Sequence, residues 1–165
     1  MQEETVETHG VGQATASANI KNVLNQNKAI WFAFFLPTGA DWDSFFNFWN
    51  YEAENAIWSP DFSCGHTWVE GGGGHAVLCV GYNDEDPENK YWIMLNSWGT
   101  GPTGNRPSGL FRLDMDMNYD CCFYAPPPNG YYSFYWQTLD VTFGANNPPQ
   151  LSDPSVQPLS GTPST

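Results

Sequence analysis

His75 follows four successive glycines, Gly71 to Gly74, and opens an apolar run, HAVLCVGY, over residues 75–82. A second run, YWIMLN over 91–96, ends at Asn96 and continues into Ser97, Trp98 and Gly99. The polar connector between the two runs makes them an antiparallel pair, which sets an imidazole beside a carboxamide. Splitting an amide with a thiol needs a base to take the thiol proton and a third group to hold the base in one tautomer. An asparagine oxygen accepts from one ring nitrogen and leaves the other free to act as that base. Trp98 is placed to keep water off the bond, which strengthens it. A lone histidine beside a strand is more often structural, so the Asn96-Ser97-Trp98-Gly99 run is what raises His75 above that reading.

The elements that would hold these residues can be read from hydrophobic spacing. Residues 1–16 show no periodicity and read as an irregular lead-in. Over 17–27, Ile20, Val23 and Leu24 fall at helical spacing, with Ser17 as the expected N-cap. The run AIWFAFFL (29–36), closed by Pro37, predicts a buried strand. The aromatic-dense stretch DWDSFFNFWNY (41–51) opens on a capping-type aspartate and predicts a short helix or tight loop. Residues 110–115 and 131–143 read as further strands. One helix followed by several strands predicts an α+β domain with a bent sheet or open barrel, spanning 17–144. The remainder, 145–165, is rich in Pro and Ser and lacks aromatics. It cannot bury enough apolar surface to order itself, and reads as a linker toward a downstream, Ig-like module.

Composition narrows the function classes. A net charge of −13 with only five Lys and Arg leaves no basic surface for phosphates, which argues against a nucleic-acid partner. No run of about eighteen apolar residues occurs, so no membrane span is expected. The acidic start, residues 1–7, is unlike a secretory signal, and the segment reads as an internal piece of a longer chain. No cofactor is called for, and no metal: Cys64, His66, Cys121 and Cys122 lack paired zinc-ligand spacing.

The runs GGGGHAVLCVGYN, YWIMLNSWGTG and GLFRL resemble the histidine strand, the Asn-Ser-Trp-Gly strand and the following strand of papain-like cysteine peptidases. Upstream, IKNVLNQNKAIWFAF resembles the helix and strand that open that family's right-hand, C-terminal domain. The resemblance covers roughly residues 15–140. It implies a polypeptide substrate, His75 as general base, Asn96 as its orienting partner and Trp98 as their shield. It also implies that Ala76, Ala33 and Gly74 line a substrate pocket, and that Cys64 is bridged to Cys121 or Cys122. Such a bridge and an acidic surface suit an extracellular or cell-surface setting, as in large microbial surface proteins.

Two departures matter. The family's nucleophile lies roughly 130 residues before the histidine, in a Cys-Gly-Ser-Cys-Trp stretch that is absent here. Its oxyanion-hole glutamine belongs to the same absent half. The mimic Cys64-Gly65-His66-Thr67-Trp68 precedes His75 too closely and carries Thr67 at the nucleophile's place, so it is set aside. The segment PTGNRPSG (102–109) also replaces a shorter turn and is expected to reshape one side of the cleft. The reading is therefore the C-terminal half of a cysteine endopeptidase, inactive alone, whose partner is the missing nucleophile-bearing half. The alternative is an inactive papain-like domain used for binding or adhesion; a weaker one is a carbohydrate-binding β domain. Of the other residues, Cys79 reads as an inert core thiol and His9 and His66 as loop residues. Phe45, Phe46, Phe48 and Trp49 read as core, and Asp114, Asp116 and Asp120 as a solvated face rather than a calcium site.

Overall fold

The computed structural model describes residues 2–126, 130–133 and 135–142. The 145–165 segment, read as a linker, lies outside them. In chain order the elements are β1 (Gln2–Val6), α1 (Gln13–Leu24), β2 (Ile30–Leu36), α2 (Gly39–Tyr51) and β3 (Ile57–Trp58). A single 3₁₀ turn, Pro60–Ser63, precedes β4 (Gly73–Asn83), β5 (Tyr91–Leu95), β6 (Leu110–Asp114), β7 (Cys122–Ala125), β8 (Gly130–Ser133) and β9 (Tyr135–Thr142). Seven strands form one sheet in the order β1-β9-β2-β4-β5-β6-β3, and β7 pairs with β8 in a second. Every pairing is antiparallel except that of β3 with β6. The α+β class expected from the sequence holds. Among the described residues the sheet stays open, with β1 and β3 at its two edges.

The core lies on one face of this sheet. In β2 and β4 the paired residues Ile30 and Cys79, Phe32 and Val77, and Phe34 and His75 share that face, because antiparallel partners point the same way. All of them are buried except His75, the last side chain of the β4 row before Gly73, which is partly exposed. Helix α2 packs over the same face. Phe45, fully buried, lies 5.5 Å from Phe34, 4.7 Å from Trp58 and 5.7 Å from Phe111. A strand row that emerges at its histidine is therefore what brings the imidazole from the core to the surface.

Several boundaries differ from expectation. The lead-in 1–16 contains β1, which has little apolar character and is a strand because β9 pairs with it from the far end of the chain. Helix α1 starts at Gln13, not Ser17. Gly12, at φ 78°, occupies the N-cap, and Ala16 is already buried beside Ile20 and Val23. The aromatic stretch is a full helix capped by Thr38 rather than Asp41. Asp41 N–H donates to Thr38 Oγ1, and Thr38 N–H donates to Asp41 Oδ2, which is a capping box. The run 131–143 is two strands in different sheets, and β7 was not anticipated.

A disulfide joins Cys64 to Cys121, 57 residues apart. Cys122 is a free thiol on β7 whose S–H donates to Asp120 O. Closing a loop of this length contributes about 4 kcal/mol by the chain-entropy account. Replacing both cysteines, Cys64→Ala with Cys121→Ala, is expected to lower unfolding free energy by about that amount in urea titrations. An unchanged midpoint would show that the bridge constrains nothing.

Candidate active site

His75 stands on β4 opposite Phe34 of β2. Asn96 follows β5, and its backbone N–H donates to Gly109 O at 2.9 Å. The sheet thus sets the two side chains side by side, with His75 Nε2 3.0 Å from Asn96 Oδ1. An amide oxygen only accepts, so Nε2 carries the proton and donates. The neutral ring then has a bare Nδ1, which makes no hydrogen bond among the described residues. Asn96 is buried, and its Nδ2 meets no acceptor among the described residues.

Around this pair lies a box of rings. Trp98 sits 4.5 Å from His75 between centroids, and Phe34, Phe45 and Trp42 approach it edge-on or tilted at 5.5, 5.7 and 5.9 Å. Trp98 is held in turn by Trp42, Phe45, Phe46 and Trp49 of α2. These four occupy positions i, i+3, i+4 and i+7, one stripe of the helix. Phe46, read from the sequence as core, is instead 41% exposed and stacks on Trp98, itself 37% exposed, at 5.4 Å. The helical spacing of the four aromatics was the signal that could have identified this support.

The start of α2 is tied down as well. Asp41 is almost fully buried, and its Oδ1 lies 2.9 Å from His66 Nδ1. The loop histidine thus braces the turn before Trp42, while keeping 43% of its side chain exposed. At the other end the 102–109 segment supplies the C-terminal cap. Thr103 Oγ1 donates to Asn50 O, Asn105 Nδ2 to Trp49 O and Glu52 O, and Arg106 to Phe48 O and Ala53 O. No local sequence signal marked Arg106, because an arginine in a Pro- and Gly-rich segment reads as exposed.

Ala33 and Ala76 are register partners of β2 and β4 on the face opposite His75, and Gly74 pairs with Phe35 on that same face. Ala76 lines a depression of about 260 Å³ with Trp31, Leu78, Leu95 and Ser97, while Ala33 is buried beside it. A Cβ at Gly74 would stand 3.0 Å from the Phe35 ring, so a larger residue there would push on that side chain. A roomier groove of about 550 Å³ runs along the outer side of α2 by Asp43, Asn47 and Trp58 and contains none of the site residues. The disulfide takes two of the four residues weighed as metal ligands, and no metal-competent group occurs among the described residues. Asp116 accepts from Lys90 and Gln13, and Asp120 from the Gly10 N–H.

Burial lowers the His75 pKa below its ordinary 6.5, while the Asn96 bond opposes that shift. As pH falls below 6.5, the unfolded chain takes up a proton that the folded imidazole still refuses. The contribution of His75 to stability is therefore complete above that value and is lost as pH falls through the lowered folded pKa. Unfolding titrations from about pH 8 to about pH 5 should show a steeper loss in the wild type than in His75→Gln. Equal slopes would mean that the ring is not held neutral.

The chain matches the model of the papain family cysteine proteases over residues 4–125, well over half its length. It is 45% identical over 56 residues to Cathepsin B-like CP2 of Giardia intestinalis, a match covering 34% of this chain and 17% of that protein. It is 41% identical over 46 residues to Cysteine endopeptidase Rep1 of Oryza sativa subsp. japonica, covering 28% of this chain and 12% of that protein. With Senescence-specific cysteine protease SAG12 of Arabidopsis thaliana it shares 44% over 43 residues, 26% of this chain and 12% of that protein. The matched stretch thus spans less than a fifth of each of these relatives. With the histidine strand, the asparagine and the ring that covers them now located, the chain belongs to the papain family of cysteine proteases.

Proposed function

We propose that this chain is the half of a thiol endopeptidase that supplies the general base, His75, and its orienting partner, Asn96. The observation that carries the proposal is the 3.0 Å bond from His75 Nε2–H to Asn96 Oδ1 beneath Trp98, which leaves Nδ1 unprotonated and unengaged. In the proposed reaction a thiol gives its proton to Nδ1, and the thiolate attacks the amide carbon. The imidazolium then protonates the departing amine, and water, deprotonated by the same ring, hydrolyses the thioester.

The nucleophile is assigned to upstream sequence, on a second half-domain facing this one. The thiols of this chain are poor candidates. Cys64 and Cys121 are bonded to each other. Cys79 is buried in β4, with a pKa pushed up to about 12 by burial, so almost none of it is thiolate at neutral pH. Cys122 hydrogen-bonds a backbone carbonyl rather than an imidazole. The substrate is taken to be an extended polypeptide, and Ala76, Ala33 and Gly74 are assigned to the wall of its side-chain pocket. The Cys64–Cys121 bridge favours an oxidising, extracellular or cell-surface setting. No helix among the described residues is long and apolar enough to cross a membrane.

The test is turnover by the longer parent protein on an extended fluorogenic peptide, beside this chain alone. The parent is expected to cleave and to be blocked by iodoacetamide, while the isolated chain is inactive. His75→Ala should lower kcat/KM by about 10³-fold or more and Asn96→Ala by roughly 10- to 100-fold. An isolated chain that cleaves and resists thiol alkylation would overturn the proposal. A parent that binds peptides without cleaving them would point to the binding-module reading.

A further inference from the structure

Arg106 is fully buried, yet no carboxylate among the described residues hydrogen-bonds it. An arginine removed from water needs its donors satisfied by fixed acceptors. Here Nη2 donates to Phe48 O at 2.9 Å, and Nη1 donates to Ala53 O at 3.0 Å and Asn105 O at 3.3 Å, while Nε meets no acceptor among the described residues. The guanidinium plane lies over Phe48 at 4.6 Å and within 5.9 Å of the Trp49 ring. A cation at a helix C-terminus meets the negative end of the dipole, and Glu52 and Glu54 are the charges that act on it there.

The position of Arg106 in the chain matters as much as its contacts. It closes the loop that begins with Trp98. Gly109 N–H donates to Arg106 O, and Asn96 N–H donates to Gly109 O, so the base of that loop holds Asn96. Gly109, at φ 68°, passes so close that a Cβ would stand 3.0 Å from Gly99 O. Through its side chain the same arginine grips the end of α2, and Trp49, under its guanidinium, meets Trp98 edge-on at 5.9 Å. Two routes, one along the loop and one through the helix, thus lead from Arg106 to the residues around His75.

We propose that Arg106 is a positioning residue, which locks the Trp98 loop against the C-terminus of α2 and so fixes the indole over the His75–Asn96 pair. This rests on the reading of His75 as general base, and it gives the 102–109 segment a role in the site. A residue that merely stabilised the fold would change the unfolding midpoint and leave the imidazole of the folded state as it was. A residue that positions the lid must change the imidazole itself.

The experiment follows the ring ¹⁵N resonances of His75 in this chain through a pH titration. Arg106→Met should move the His75 pKa upward, toward the ordinary histidine value, because a loosened indole admits water to the ring. Contacts between the Trp98 and His75 rings should weaken in the nuclear Overhauser spectrum. Arg106→Lys keeps the charge without the fork and should restore part of the shift. Ile20→Val, buried in α1 away from the site, should lower stability and leave the titration unchanged. If Arg106→Met does not fold, Asn105→Ala removes two bonds of the same cap and should shift His75 in the same direction. A wild-type His75 titration in the folded Arg106→Met protein, or in Asn105→Ala, would overturn the proposal. Because the readout is not turnover, a parent protein active without His75 would sink the catalytic reading and leave this result standing.

Discussion

A half-buried imidazole tends to lose its orientation as well as its charge, and one hydrogen bond to Asn96 controls both in this fold. The Nε2–H to Oδ1 contact fixes the tautomer, and the rings around it lower the local dielectric in which it acts. Neither effect suffices alone. Burial without Asn96 would leave a ring free to turn, and Asn96 in open water would compete with solvent for the same proton. The sheet supplies the first condition by ending a core row at position 75. Helix α2 supplies the second through Trp42, Phe45, Phe46 and Trp49, which grip Trp98 from one side.

This arrangement makes α2 more than core filling. Its N-terminus is held by the Thr38–Asp41 capping box and by His66, in the segment that also carries the disulfide. Its C-terminus is held by Thr103, Asn105 and Arg106, from the loop that carries Trp98. Exposed caps contribute around 1 kcal/mol each. Several acting on one helix restrict its rotation, and rotation of α2 is what would move the aromatic stripe off the indole.

Much of this was legible in the sequence because it was local. The strands around 30–36, 73–83, 91–95 and 110–114 announce themselves as apolar runs between turn residues, and their order forces the pairing that joins His75 to Asn96. What escaped was set by distant partners. β1 carries almost no apolar signal and is a strand because β9 lies beside it. The choice of Cys121 over Cys122 follows from placement, since Cys122 takes a position in β7 opposite Ser133. Arg106 was invisible for the same reason: only the folded chain shows that a Pro- and Gly-flanked arginine is sealed under a helix end. The aromatic stripe was misread by degree. Its helical spacing was present, but exposure of Phe46 depends on which rings the loop after β5 brings to meet it.

The central claim concerns the protonation pattern of one ring. Long-range ¹H–¹⁵N correlation spectra of this chain at neutral pH report directly which nitrogen of His75 bears hydrogen. The account predicts a neutral ring protonated at Nε2, with Nδ1 showing the shift of an unprotonated nitrogen. A ring protonated at Nδ1, or doubly protonated at neutral pH, would contradict it.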